Sequence, residues 1–172
     1  ENVSKKQLAE ESIHLERGIL AEAGGVQDQI AAAYGGLNHI TFEKSGDFEV
    51  NPLNLDAERE QNLQDHMMLF FSGFSRTAAN LETAKMENLK KSGTSSKQNL
   101  HEMAGMVDVA NNSLRNGNIE DFGSLLHESW MLKRSLAAGV SPVFVDDMYE
   151  AALKAGALGG KLLGAGGGGF FL

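Results

Sequence analysis

Four consecutive glycines, Gly166 to Gly169, limit what this chain can fold into more than any other feature. Glycine reaches left-handed backbone conformations without strain and weakens helices and strands alike. The segment Gly164-Ala165-Gly166-Gly167-Gly168-Gly169 is therefore read as a loop. Residues 159–163 before it and Phe170-Phe171-Leu172 after it read as strand. A loop nearly bare of side chains lets its backbone come very close to a ligand or to another loop.

Two look-alikes are rejected on context. The loop satisfies the dinucleotide pattern G-x-G-x-x-G, but that pattern must open a helix, whereas here it runs into Phe170-Phe171-Leu172. A Walker loop over residues 156–162 is one residue short before Gly160-Lys161. It also has Leu162 where a Ser or Thr must hold magnesium. A tight turn with no ligand is the plain alternative.

The second informative segment is Gly24-Gly25-Val26-Gln27-Asp28-Gln29, running into Ile30-Ala31-Ala32-Ala33-Tyr34-Gly35-Gly36. The spacing predicts a short helix over 27–34, stopped by Gly35-Gly36, with the carboxylate of Asp28 at its start. Taken alone, that Asp is ordinary capping chemistry.

The remaining pattern is mixed. Residues 4–20 read as a helix with Leu8, Leu15 and Ile19 near one face. Residues 38–43 and 48–51 read as strands joined by a turn at 44–47, and residues 54–64 as a polar connection. Met67 to Ser72 reads as a buried strand, followed by a helix from Ser75-Arg76-Thr77 to about Lys90 and a flexible turn at 92–96. Leu100, Met103, Ala104, Val107, Ala110 and Leu114 mark a further helix. Asn116-Gly117-Asn118 ends it and caps the next helix, which carries Phe122, Leu125, Leu126, Trp130 and Leu136. Ser141 as N-cap and Pro142 in the first turn open a last helix, closed by Gly156. The class is α+β, divided near residue 60.

Bulk properties narrow the partners. The 172 residues are 42% hydrophobic, enough for a core in one domain or two small ones. A net charge of −8 argues against nucleic acid, because neutralising a phosphate backbone needs clustered Lys and Arg. Without cysteine there are no disulfides or thiolate metal sites, and cytoplasm is the expected compartment. No apolar run reaches the ~20 residues of a membrane helix, and no signal-peptide pattern stands at the start. The five histidines have no zinc spacing. An initial Glu1 and a final apolar Phe170-Phe171-Leu172 read as the limits of a fragment.

The segment Lys161-Leu162-Leu163-Gly164-Ala165-Gly166-Gly167-Gly168-Gly169 closely resembles the third conserved motif of the GHMP kinases. The Asp28 segment, with Ala31 through Asn38, is similar to the catalytic-aspartate segment of their sugar-kinase branch. Similarity to the D-glycero-D-manno-heptose 7-phosphate kinases extends through Val50-Asn51-Pro52-Leu53, His127-Glu128-Ser129-Trp130 and Gly159-Gly160-Lys161-Leu162. The resemblance implies a GHMP-kinase fold, with a truncated N-terminal domain over 1–60 and a ferredoxin-like C-terminal domain over 61–172, cut before its last strand. It implies ATP and Mg2+ as cofactors and a small-molecule sugar or sugar phosphate as substrate, most like the anomeric hydroxyl of a heptose 7-phosphate. L-fucose or galactose, and a non-catalytic binding module, are the alternatives.

By the same resemblance Asp28 is the catalytic carboxylate. Gly25, Gln29, Gly35, Gly36 and Arg76 are expected to bind substrate. Lys161, Gly164, Ala165, Gly166, Gly167 and Gly168 are expected to support the nucleotide's phosphate loop. Glu16 is the expected Mg2+ ligand, with Glu22 as the competing carboxylate. His127, Glu128 and Lys133 match the family pattern with no role assigned. The family's Pro-x-x-x-Gly-Leu-Gly-Ser-Ser motif, which wraps ATP's phosphates, does not occur in these residues.

Overall fold

The computed structural model describes residues 2–22, 24–73, 94–136, 139–164 and 166–172. They divide into two compact units, Glu1–Asn54 and Leu55–Leu172. The class is α+β. Among the described residues no helix is long and apolar enough to cross a membrane.

The first unit is two helices and a hairpin. Helix α1 (Lys5–Ile13) starts at Ser4, whose hydroxyl accepts the Gln7 N–H at 3.1 Å. It continues into a π-helical turn, His14–Ile19. Helix α2 (Gln27–Tyr34) stops at Gly35, whose φ of +64° only glycine adopts cheaply. The Lys5 ammonium donates to the Tyr34 carbonyl at 2.6 Å, placing a cation at the negative end of α2. Strands β1 (Asn38–Phe42) and β2 (Phe48–Pro52) pair antiparallel, with Asn38 opposite Pro52 and Phe42 opposite Phe48.

α1 packs against α2. The expected stripe does not carry that packing: Leu8, Leu15 and Ile19 are exposed, and Ala9 is the buried residue of α1. A small side chain lets two helix backbones approach closely, which an apolar-periodicity rule does not register.

The second unit begins with helix α3 (Ala57–Asp65), where the sequence reads as a connection. Asp56 caps it by accepting the Arg59 N–H at 2.8 Å, and only Leu63 is buried. A helix with one buried residue leaves little apolar signal. Its anchor is Arg59, which donates to the carbonyls of Ser113 (2.6 Å), Leu114 and Gly117. Those carbonyls end helix α4 (Thr94–Asn116), so a cation sits where the helix is electronegative. α4 also takes in Thr94, Ser95 and Ser96, read as part of a flexible turn.

Asn118 caps helix α5 (Ile119–Arg134) as expected, its side-chain oxygen accepting the Glu120 N–H. Helix α6 (Val143–Lys154) starts one residue later than expected, with Pro142 at the cap. Ser141 instead donates its hydroxyl to Asp146, which also pairs with Arg134 at 2.8 Å. Gly156, with φ of +102°, follows the end of α6.

Two strand expectations shrink. Met67 to Ser72 yields only β3 (Phe70–Phe71), and Met68, Leu69, Phe70 and Phe71 are exposed rather than buried. Its described partner is β4 (Phe170–Phe171), with Phe70 opposite Phe171. Residues 159–163 form an isolated bridge between Leu162 and Phe171, not a strand. The backbone still pairs there: Lys161 and Leu172 exchange both hydrogen bonds at 2.8 and 3.0 Å. The core of the unit is Trp130, Val140, Val145, Tyr149, Leu162 and Phe171, directly under this paired backbone.

Candidate active site

The expected residues divide between the two units, and each group has its own local geometry.

In the first unit Asp28 stands in the first turn of α2, exposed to solvent. A carboxylate there is favoured by the positive end of the helix dipole. Among the described residues it has no hydrogen bond or ion pair, so both oxygens are open to a ligand. The next residue points elsewhere. Gln29 is buried and donates its amide N–H to the carboxylate of Glu16, while its Oε1 is buried with no partner. The structure thus brings Glu16 and Gln29 together, and Gln29 engages a protein carboxylate.

Glu16 reaches Gln29 because it lies in the π-helical turn, half-buried. Such turns insert one extra residue into a helix and recur at functional sites. The expectation of one regular helix over 4–20 misses it, because periodicity scoring assumes 3.6 residues per turn throughout. Gly25 lies just before α2, where an added Cβ would fall 2.0 Å from the Gln27 side-chain oxygen. Gly35 and Gly36 lie at the opposite end of α2, roughly 10 Å from Asp28 by the helical rise. They form the turn into β1, and Asn38 donates to the Gly35 carbonyl at 2.7 Å. The structure does not group them with Asp28.

In the second unit the glycine loop is pinned from several sides. The Gly167 N–H donates to the Val140 carbonyl at 2.9 Å. Ser72 donates its N–H to the Gly169 carbonyl at 2.8 Å and accepts the Gly169 N–H on its hydroxyl at 3.0 Å. Gly166 has φ of +106°, and an added Cβ would meet the Val140 carbonyl oxygen at 3.0 Å. Glycine is required there on both counts. Gly164 and Gly168 lie on the same loop, and Ala165 lies outside the described residues, as does Arg76.

Lys161 is half-buried just before the loop, and burial pushes its ammonium below the ordinary lysine range. Sequence reasoning left Lys133 without a role. It is buried on α5, and its ammonium donates to the carbonyls of Leu162 and Gly164, each at 2.7 Å. Phe122, Leu126 and Trp130 share that face of α5 at helical spacing, so a lysine on an apolar stripe was the available signal. His127 is bonded to the Tyr149 hydroxyl at 2.7 Å and stacked on its ring, a packing role.

Residues 110–172 match the family described as GHMP kinases, C terminal. The match covers the C-terminal part of the chain, and the chain as a whole shares its fold with solved kinases. The fold neighbours include L. major mevalonate kinase (TM-score 0.75, 20% identical, 99% of this chain and 49% of that one). They also include a D-glycero-D-manno-heptose 1-phosphate kinase from Bacteroides thetaiotaomicron (TM-score 0.65, 24% identical, 99% and 44%). A curated D-glycero-alpha-D-manno-heptose 7-phosphate kinase from Campylobacter jejuni is 29% identical over 95% of this chain. An L-fucokinase/L-fucose-1-P guanylyltransferase from Bacteroides fragilis is 27% identical over 96%. The chain spans 48% of the first of these curated relatives and 18% of the second.

Proposed function

We propose that the protein containing this chain is an ATP-dependent sugar kinase, acting on the anomeric hydroxyl of a heptose 7-phosphate. The observation that carries this reading is the extent of the similarity. Sugar kinases align over 95–98% of the chain, so the likeness is not confined to one unit.

In this reading the sugar hydroxyl oxygen attacks the γ-phosphorus of ATP, the bond from that phosphorus to the β,γ-bridging oxygen breaks, and ADP leaves. Asp28 accepts the hydroxyl proton or orients the hydroxyl, a role suited by its exposed carboxylate, which has no partner among the described residues. Loop residues 164–169 and Lys161 support the nucleotide's phosphate loop.

The described residues contain no cluster of three or more metal-binding side chains. Glu16 has one carboxylate oxygen engaged by Gln29 and the other available. That fits a magnesium ion held mainly by ATP's phosphates, with Glu16 as its protein ligand. When bound, the ion supplies charge neutralisation on the phosphates.

The test is a panel of heptose 7-phosphate, L-fucose and galactose with ATP and the full-length protein. The reading expects turnover with the heptose phosphate, and Asp28→Asn lowers kcat by about 10²–10⁴-fold. Preference for L-fucose would establish the second reading, which the fucokinase match favours. Near wild-type turnover in Asp28→Asn would remove the catalytic role of Asp28. No turnover on any sugar would leave a binding module.

A further inference from the structure

Lys133 lies in the α5 face against the core, only 8% exposed. Burying an ammonium is unfavourable unless its donors are satisfied. Two of them go to main-chain carbonyls, Leu162 and Gly164, which flank the point where paired backbone gives way to glycine loop. A trans peptide holds its C=O and N–H on opposite sides. The peptide between Leu162 and Leu163 is therefore fixed at both ends: its carbonyl accepts from Lys133, and its N–H donates to the Phe170 carbonyl at 2.8 Å. The aliphatic stem of Lys133 emerges one turn beyond Trp130, with Nζ 6.0 Å from that ring's centroid.

The other ties described on the loop are of a different character. Val140 and Ser72 hold Gly167 and Gly169 through neutral groups farther along it. A cation donating to a carbonyl makes a stronger bond than a neutral donor does, and flexible glycines transmit any error in their first peptide to those that follow.

We propose that Lys133 is the positioning residue of the glycine loop. Its ammonium sets the direction in which the backbone leaves Leu163, and so where the loop's peptide groups stand for catalysis. The link to catalysis rests on the kinase reading; the anchoring of the loop does not.

The experiment compares Lys133→Met with wild type in the full-length protein. Amide exchange at residues 164–170 should rise by about 10-fold or more, while α6 amides stay within about 2-fold. With the sugar that the wild type phosphorylates, kcat should fall about 10-fold with sugar KM within about 2-fold, as when a transition-state interaction is lost. Unchanged loop exchange overturns the proposal, whatever happens to activity. Faster loop exchange with no turnover in wild type supports the anchoring and refutes only the kinase reading. Should Lys133→Met not fold, the wild-type protein decides. A slowly exchanging ¹⁵N ammonium signal from Lys133 at neutral pH supports the anchoring, and its absence overturns it.

Discussion

Lys161 holds its charge in a place that disfavours it. Desolvation lowers its pKa in the folded chain below the unfolded value, and no ion pair at Lys161 offsets this among the described residues. Below the folded pKa the unfavourable charge is fully present. Between the folded and unfolded values the unfolded chain binds more protons, so this group's contribution to stability rises with pH. Lys161→Met should therefore raise the melting temperature at neutral pH, and its advantage over wild type should shrink as pH climbs toward the ordinary lysine range. Paired thermal melts across that window check it; a constant advantage would count against desolvation as the cause. Gly166 gives a prediction of opposite sign. Gly166→Ala demands an L-residue at φ of +106° against the Val140 backbone, and should cost about 1–3 kcal/mol in chemical denaturation.

At the scale of elements, the least apolar helix should be among the most sensitive. α3 buries only Leu63, yet Arg59 ties it to the last carbonyls of α4. Arg59→Met should shift the urea midpoint by an amount worth about 1.5–3 kcal/mol, the range for hydrogen bonds to charged groups. A shift no larger than that of an exposed α3 substitution such as Glu58→Gln would mean the ties contribute nothing. The same helix marks the limit of what could be read in advance. α2 and the hairpin were legible, because Gly35-Gly36 and the turn at 44–47 are local signals that decide local structure. The Asn118 cap was legible for the same reason. α3 was not, since its anchor lies 54 residues or more along the chain. Met67 to Ser72 was read as buried from composition, although burial depends on what covers a strand and composition does not contain that. Of the expected functional residues, Asp28 and the glycine loop stood out in the sequence as residue types in unusual company. The Glu16–Gln29 pairing and the Lys133 anchor did not, because each depends on a helix phase or a long-range partner.

At the scale of the molecule, the chain spans about half of the curated heptose kinase it matches, and its sequence contains no Gly-Ser loop of the phosphate-wrapping kind. The isolated 172-residue polypeptide should therefore show no ATP turnover, measured as ADP release with each sugar of the panel. Turnover at full-length rates would mean that these residues suffice for catalysis. The second unit also has a largely apolar cavity of about 690 Å³, bounded by α3, α5, α6 and the backbone at Leu172. Trp130 is the single tryptophan of the sequence and is fully buried, between Tyr149 and Phe171 in the core beneath the loop. The polypeptide thus carries its own optical label. Red-edge excitation will interrogate the Leu55–Leu172 half alone, and a bathochromic drift in that emission will time its unravelling while the helix bearing Asp28 stays dark.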